Sequence, residues 1–239
     1  MLKYKDIKLA DAGFVINLLE RSDRKNDFIK KMEELKITGY EFVEGVKFEE
    51  PEWIRYGCTQ SFINIFKNAI ENDYQSIIIF EDDATQTEQI TKEQIDKIFQ
   101  LWEEQTENYD LIALGTRPLW DSKVIKDSEY YGTITNCLCA HAFFYKKKFI
   151  DYIYDNLSCF KDEKCKHYRV VIDEFISDCC SHENICKIPN KLFKVGITIP
   201  MMFSQKPSYS DNERTFVNFQ GWIQDSFYNA LSNGNKIQK

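Results

Sequence analysis

The sequence has no stretch near the ~20 apolar residues that a bilayer span requires, and Met1-Leu2-Lys3-Tyr4-Lys5-Asp6 lacks an apolar core of signal-peptide length. A soluble, cytoplasmic protein is the expectation. Positive charge is also in short supply. Lys and Arg number 31 against 38 Asp and Glu, which leaves a net charge of −7 and a pI of about 5.2. The bases are interspersed with acids, as in Lys3–Lys8 and Arg21–Lys31, so no clustered basic surface points to a nucleic-acid partner. Glycine is scarce, at 9 in 239 residues. Where a glycine-rich phosphate loop would follow the first predicted strand, the chain has Glu20-Arg21-Ser22-Asp23. Cysteine pairs at the zinc-site spacing Cys-x2–4-Cys are missing too. Cys159, Cys165, Cys179, Cys180 and Cys186 cluster with His167 and His182, but the spacings match structural zinc sites poorly. Disulfides have little support without a secretory start, so reduced, mostly buried thiols are expected.

What the chain does have is apolar material, 43% hydrophobic and 15% aromatic, ample for one α/β domain over 1–239. The core of that domain is expected over about 13–211, with a helical, aromatic tail at 212–239. Phe14–Leu19 reads as a first strand, and Ser22 or Asp23 as the cap of a helix carrying Phe28, Met32 and Leu35. Tyr40–Val43 is a short strand, and Thr59 is a candidate cap for a helix with Phe62, Ile63 and Phe66 inward. Thr91-Lys92-Glu93-Gln94 is a capping box. Asp110–Gly115 is a buried strand, Val124–Thr135 a hairpin and Ala142–Tyr145 a strand. Helices follow at Lys147–Leu157 and Val170–Cys180, and the chain beyond Pro200 reads as a loop over the sheet. Strands alternating with helices predict a mixed, mostly parallel sheet flanked by helices.

The most informative stretch is Ser76-Ile77-Ile78-Ile79-Phe80 followed at once by Glu81-Asp82-Asp83-Ala84. Four large apolar residues in a row describe a strand buried on both faces. In open α/β sheets, ligands bind where such strands end. Acids there suit a divalent cation, which takes one or two carboxylates plus substrate phosphates. Asp83 is the first candidate ligand and Asp82 the second. Helix capping or pairing with Lys or Arg is the structural alternative. Arg21 and Arg24, just after the first strand, are candidates for a phosphate or a base edge. Asp173 and Glu174 stand in an apolar run, and either could act as a general base if burial lifts its pKa. A solvent-facing helix pair is the alternative for these two.

Read in order, these pieces resemble glycosyltransferase family 25, which includes lipopolysaccharide glycosyltransferases and collagen galactosyltransferases. The resemblance lies in Asn17-Leu18-Leu19-Glu20-Arg21-Ser22-Asp23-Arg24, Phe42-Val43-Glu44-Gly45, Gly57-Cys58-Thr59-Gln60-Ser61 and Phe80-Glu81-Asp82-Asp83-Ala84. Weaker parallels follow at Ala142–Tyr145, Asp173, Gln205 and Ser210-Asp211. One departure is Phe62, where the family has histidine. The resemblance implies a GT-A-like fold, a nucleotide-sugar donor (UDP-linked), Mn²⁺ or Mg²⁺ at Asp83 and Asp82, and a glycan or protein acceptor. It implies inverting transfer, with Asn17, Leu18, Arg21, Arg24, Ser61, Glu81 and Asp82 on the donor side and Asp173 or Glu174 as base. A pyrophosphorylase is the nearest enzymatic rival and needs the glycine-rich loop that is absent here. A catalytically inactive nucleotide-sugar- or partner-binding module on the same fold is the alternative from another class.

Overall fold

The computed structural model describes every residue except 120, 167, 181–192, 211–214, 219 and 236–239. A hairpin of β1 (Leu2–Tyr4) and β2 (Ile7–Ala10) precedes β3 (Ala12–Asn17). After α1 (Ser22–Leu35), β4 (Ile37–Thr38) pairs with β1, and β5 (Tyr40–Glu44) runs parallel to β3. A 3-10 turn at Ile54–Tyr56 leads into α2 (Gly57–Glu71), β6 (Ser76–Glu81) and β7 (Ala84–Gln86). Next come α3 (Lys92–Gln100), α4 (Trp102–Asn108), β8 (Leu111–Pro118), β9 (Val124–Lys126), β10 (Tyr131–Ile134) and β11 (Cys137–Lys146). Helices α5 (Lys147–Leu157) and α6 (Ile172–Cys180) are followed by β12 (Val195–Thr198), β13 (Phe203–Gln205), β14 (Ser208–Ser210), β15 (Thr215–Val217) and α7 (Gln220–Asn235).

Eight strands form the central sheet in the order β5-β3-β6-β11-β8-β12-β10-β9. From the pairings, six strands point one way and only β11 and β10 run against them. This is the mixed, mostly parallel α/β sheet that the alternation predicts. β6 shows why: Ile77 and Ile79 join one core, while Ile78 and Phe80 join the other. Helices α2, α5 and α6 cover the first face through Phe62, Phe66, Phe149, Ile150 and Phe175. On the second face lie α1, α3 and α4 with Phe28, Met32, Ile95, Phe99 and Trp102. Each large apolar side chain buried this way contributes about 1.5–3 kcal/mol. The capping box at Thr91 and Gln94 forms in both directions. The β9–β10 hairpin and α5 stand where the pattern puts them.

Several expectations need correction. The first sheet strand is Ala12–Asn17, and Leu19 beyond it is exposed. Neither Ser22 nor Asp23 caps α1, which has no side-chain cap, and the Asp23 carboxylate instead accepts from Arg21. Thr59 lies inside α2, fully buried, its hydroxyl accepting the Ile172 N–H at 3.0 Å. The chain after Pro200 is not all loop, since β13 pairs with β7. Cys159 and Cys165 form a disulfide, whereas Cys179 is a buried free thiol. Successive turns join the pair: Asp162 N–H donates to Cys159 O and Cys165 N–H to Asp162 O, both at 2.8 Å. His167, His182, Cys186 and Asp211, and the side chains of Cys180 and Ser210, lie outside the described residues. Among the described residues, no helix is long and apolar enough to cross a membrane. Helix α7 buries Ile223, Phe227 and Ala230 in the first core.

Candidate active site at the carboxyl ends of the sheet strands

Because β3, β5 and β6 are parallel, their carboxyl ends share one edge of the sheet. β6 ends in Glu81, and Asp82 is held beside β3 by its N–H bond to Ile16 O (3.2 Å). Asn17, the last residue of β3, donates its amide to Asp82 Oδ2 at 2.7 Å. From the first turn of α1, one Arg24 nitrogen reaches Asp82 Oδ1 at 2.9 Å and Asp83 Oδ2 at 3.1 Å. Gln205, on β13, donates to Asp83 Oδ2 at 3.0 Å. Asp82 and Asp83 are only 7% and 6% exposed. Burial drives both carboxyls above the usual aspartate range, and the Arg24 guanidinium opposes that rise. Asp83 Oδ1 is buried with no hydrogen-bond partner among the described residues.

The acids floor a cleft walled by Leu18, Ser61, Cys58 and the segment Gly45–Glu49. The Ser61 hydroxyl braces that wall, donating to Gly57 O and accepting the Val46 N–H. Half-buried Glu81 faces the same space and accepts from the Cys58 thiol at 3.4 Å. Burial pushes Glu81 well above the usual glutamate range, and the charges of Asp83 and Asp173 push it further.

Asp173 and Glu174, adjacent in sequence, part company. β11 bulges between Leu138 and Ala142, with Cys139 left-handed at φ 61°. The bulge turns two backbone donors outward, and Asp173 accepts the N–H of Cys139 at 3.0 Å and of Ala140 at 3.4 Å. Burial raises its carboxyl above the usual range despite these bonds. Glu174 instead pairs with exposed Arg55 at 3.1 Å. Neither acid is among the residues lining the cleft. Arg21 turns to Asp23, at 2.9 Å. Thus Asn17, Arg24, Glu81, Asp82 and Asp83 come together, Leu18 and Ser61 border them, Asp173 stands near Glu81, and Glu174 lies apart.

Two neighbours escaped the residue-level reading. Gln205 was expected only through the resemblance, and His141 not at all. His141 is fully buried beneath β13, 3.5 Å from Phe203 O, and burial lowers its pKa to about 4, so the ring is neutral at pH 7. Gly115 opposite it is obligatory, since a Cβ there would stand 2.7 Å from the imidazole. A Gly facing a His across two strands is not visible before the register is known.

Among the described residues, no group of three or more His, Cys, Asp or Glu is disposed to hold a metal by itself. The Asp82–Asp83 pair still fits a hard cation that takes its remaining ligands from phosphate oxygens, because Asp83 Oδ1 has no partner among the described residues.

Comparison with known proteins gives the following. The model of glycosyltransferase family 25 (LPS biosynthesis protein) matches residues 54–155, the span from the 3-10 turn through α2 and the acid-tipped strand to α5. The resemblance seen in the sequence holds over that span. No curated protein matches the sequence. Among solved structures, a glycosyltransferase involved in glycosylation of the major capsid of PBCV-1 aligns at 10% identity and TM-score 0.48, covering 90% of this chain and 98% of its own. A197 from STIV aligns at 12% identity and TM-score 0.38, covering 78% and 80%. An apo UDP-glucose pyrophosphorylase aligns at 9% and 0.38, covering 92% and 71%. Likeness at this level carries no function across.

Proposed function

We propose that the chain is a metal-dependent glycosyltransferase that moves a sugar from a nucleotide-sugar, UDP-linked, to a hydroxyl of a glycan or protein. One observation carries the reading. Two buried carboxylates share a single guanidinium at the floor of a cleft, and one of their oxygens has no partner among the described residues. A buried anionic oxygen is unfavourable unless something completes its bonding, and a bound cation does so. The family match over residues 54–155 supports the same chemistry.

In this reading Asp83, helped by Asp82, holds Mn²⁺ or Mg²⁺, which supplies charge neutralisation for the departing diphosphate. Asn17 fixes Asp82 in place, and Arg24 adds positive charge where the phosphates lie. Leu18 and Ser61 border the nucleotide side, and Arg21, which turns to Asp23, would have to leave that pair to join them. The acceptor oxygen bonds to the anomeric carbon from the face opposite the diphosphate, whose bond to that carbon breaks with its electron pair. The hydroxyl proton passes to the Glu81 carboxylate. Glu81 faces the cleft, and burial, then the charges of Asp83 and of Asp173 behind it, raise its proton affinity. Glu174, paired with Arg55, takes no part. The inactive-module alternative rests on Phe62, but Phe62 is wholly buried against Phe66 and does not border the cleft.

The test is nucleotide release from UDP-, GDP-, CMP- and dTDP-sugars, with Mn²⁺ or with chelator. Metal-dependent turnover of a UDP-sugar, reduced by about 100-fold or more in Asp83→Asn, is expected. Silence across the panel, with no metal-dependent nucleotide binding, would favour the inactive module.

A further inference from the structure

The outer wall of the cleft continues into a ridge that the chemistry above does not use. Phe48 lines the cleft, its ring 6.5 Å from that of Trp53, and Trp53 stands 6.1 Å from Tyr168. All three are half-buried, so part of each remains open to solvent. Two cations lie over these rings. Lys161 Nζ is 4.2 Å from the Phe48 centroid, and the Arg169 guanidinium is 5.2 Å from both Trp53 and Tyr168. Both cations are exposed.

Among the described residues neither Lys161 nor Arg169 makes a salt bridge, although the chain carries a net charge of −7 and many of its other bases are paired with acids. The ridge is also braced. The Cys159–Cys165 disulfide closes the turn that carries Lys161, and Arg169 N–H donates to Phe160 O at 2.9 Å. Phe160 itself is buried against Trp53. A rigid aromatic surface with two unpaired cations, continuous with the cleft, has the chemistry of a carbohydrate platform with an anion requirement. Aromatic faces accept the apolar C–H side of a pyranose, and the cations accept a carboxylate or phosphate on it.

We propose that this ridge is the acceptor subsite and that the acceptor sugar carries an acidic group. The proposal deepens the transferase reading and rests on it. Its test is titration of the full chain with methyl glucuronide, glucose 6-phosphate and neutral methyl glucoside, followed by tryptophan fluorescence and ligand-observed NMR. At least one acidic sugar should bind about tenfold more tightly than the neutral one, with the advantage shrinking as salt rises. Comparing glucuronide with phosphate distinguishes the two anions. The double variant Lys161→Glu/Arg169→Glu, at exposed positions and checked by its melting temperature, should lose the preference, and Arg169→Lys should keep most of it. Equal binding of acidic and neutral sugars, or an undiminished preference in the folded double variant, would overturn the assignment. Donor turnover, measured on the same wild-type preparation, separates the two readings. Turnover without acidic preference defeats the ridge alone, whereas acidic preference without turnover of any donor defeats the transferase reading.

Discussion

At the carboxyl ends of β3 and β6, Asp82 and Asp83 lie 7% and 6% exposed around one guanidinium, with Glu81 beside them. At the opposite edge, where β6 and β8 begin and β11 ends, Lys8, Lys146 and Lys148 meet Asp11, Glu107 and Asp110, and Lys147 meets both Asp73 and Asp151. That edge has the larger cleft. It also has more charged side chains. Yet its ion pairs are solvated and mutually satisfied, a condition that holds a surface together only weakly and leaves nothing for a ligand to complete. The acid edge is smaller and electrically unbalanced in a dry setting. Cleft size and charge count would choose the lysine edge, whereas desolvation of like charges chooses the acid edge, and the family match spans residues of both.

The contrast breaks most readily at Arg24. Arg24→Ala leaves two buried aspartates without their shared cation, and a loss of about 3 kcal/mol or more is expected in urea unfolding. A loss below about 1 kcal/mol would mean that the acid edge is no drier than the other. Glu81→Gln has a smaller effect of opposite sign. Glu81 binds its proton more tightly folded than unfolded, so its contribution to stability is full below pH 4.5 and is lost as pH rises through the raised value. The variant should therefore melt about 2–4 °C higher at pH 7 and show a flatter melting profile above pH 4.5. Sugar transfer by the same variant should fall. A melting profile unchanged by the substitution would contradict the raised, charge-crowded Glu81. The smallest effect is expected at the other edge. Lys148→Ala removes the pair with Asp110 and should change stability by no more than about 0.5 kcal/mol, leaving donor turnover untouched.

Legibility followed the range of the interactions. Ser76–Phe80 could be read as a two-sided strand because its burial leaves no polar position, and the Thr91 capping box because its partner is three residues away. The acids at 81–83 were legible as a cluster. That Arg24 sits on Asp82 and Asp83, 58 residues on for the first of them, was not, since its position after the first strand suggests only a phosphate or a base edge as partner. Asp23 was misread as a cap because Arg21, two residues back, competes for its carboxylate more strongly than helix N–H groups do. The disulfide goes against the expectation of reduced thiols, because the turn at Asp162 that brings Cys159 and Cys165 together shows only in the fold. The split between Asp173 and Glu174 depends on a bulge in β11, and sequence patterns do not locate bulges.

The most direct test of the central claim is calorimetric titration of UDP into the wild-type chain and into Asp83→Asn, each with Mn²⁺ and with chelator. The account predicts UDP binding by the wild type in Mn²⁺ that is lost both with chelator and in the variant. Equal UDP affinity with and without metal, or full affinity in a folded Asp83→Asn, would contradict the assignment of this edge as a metal-dependent nucleotide-sugar site.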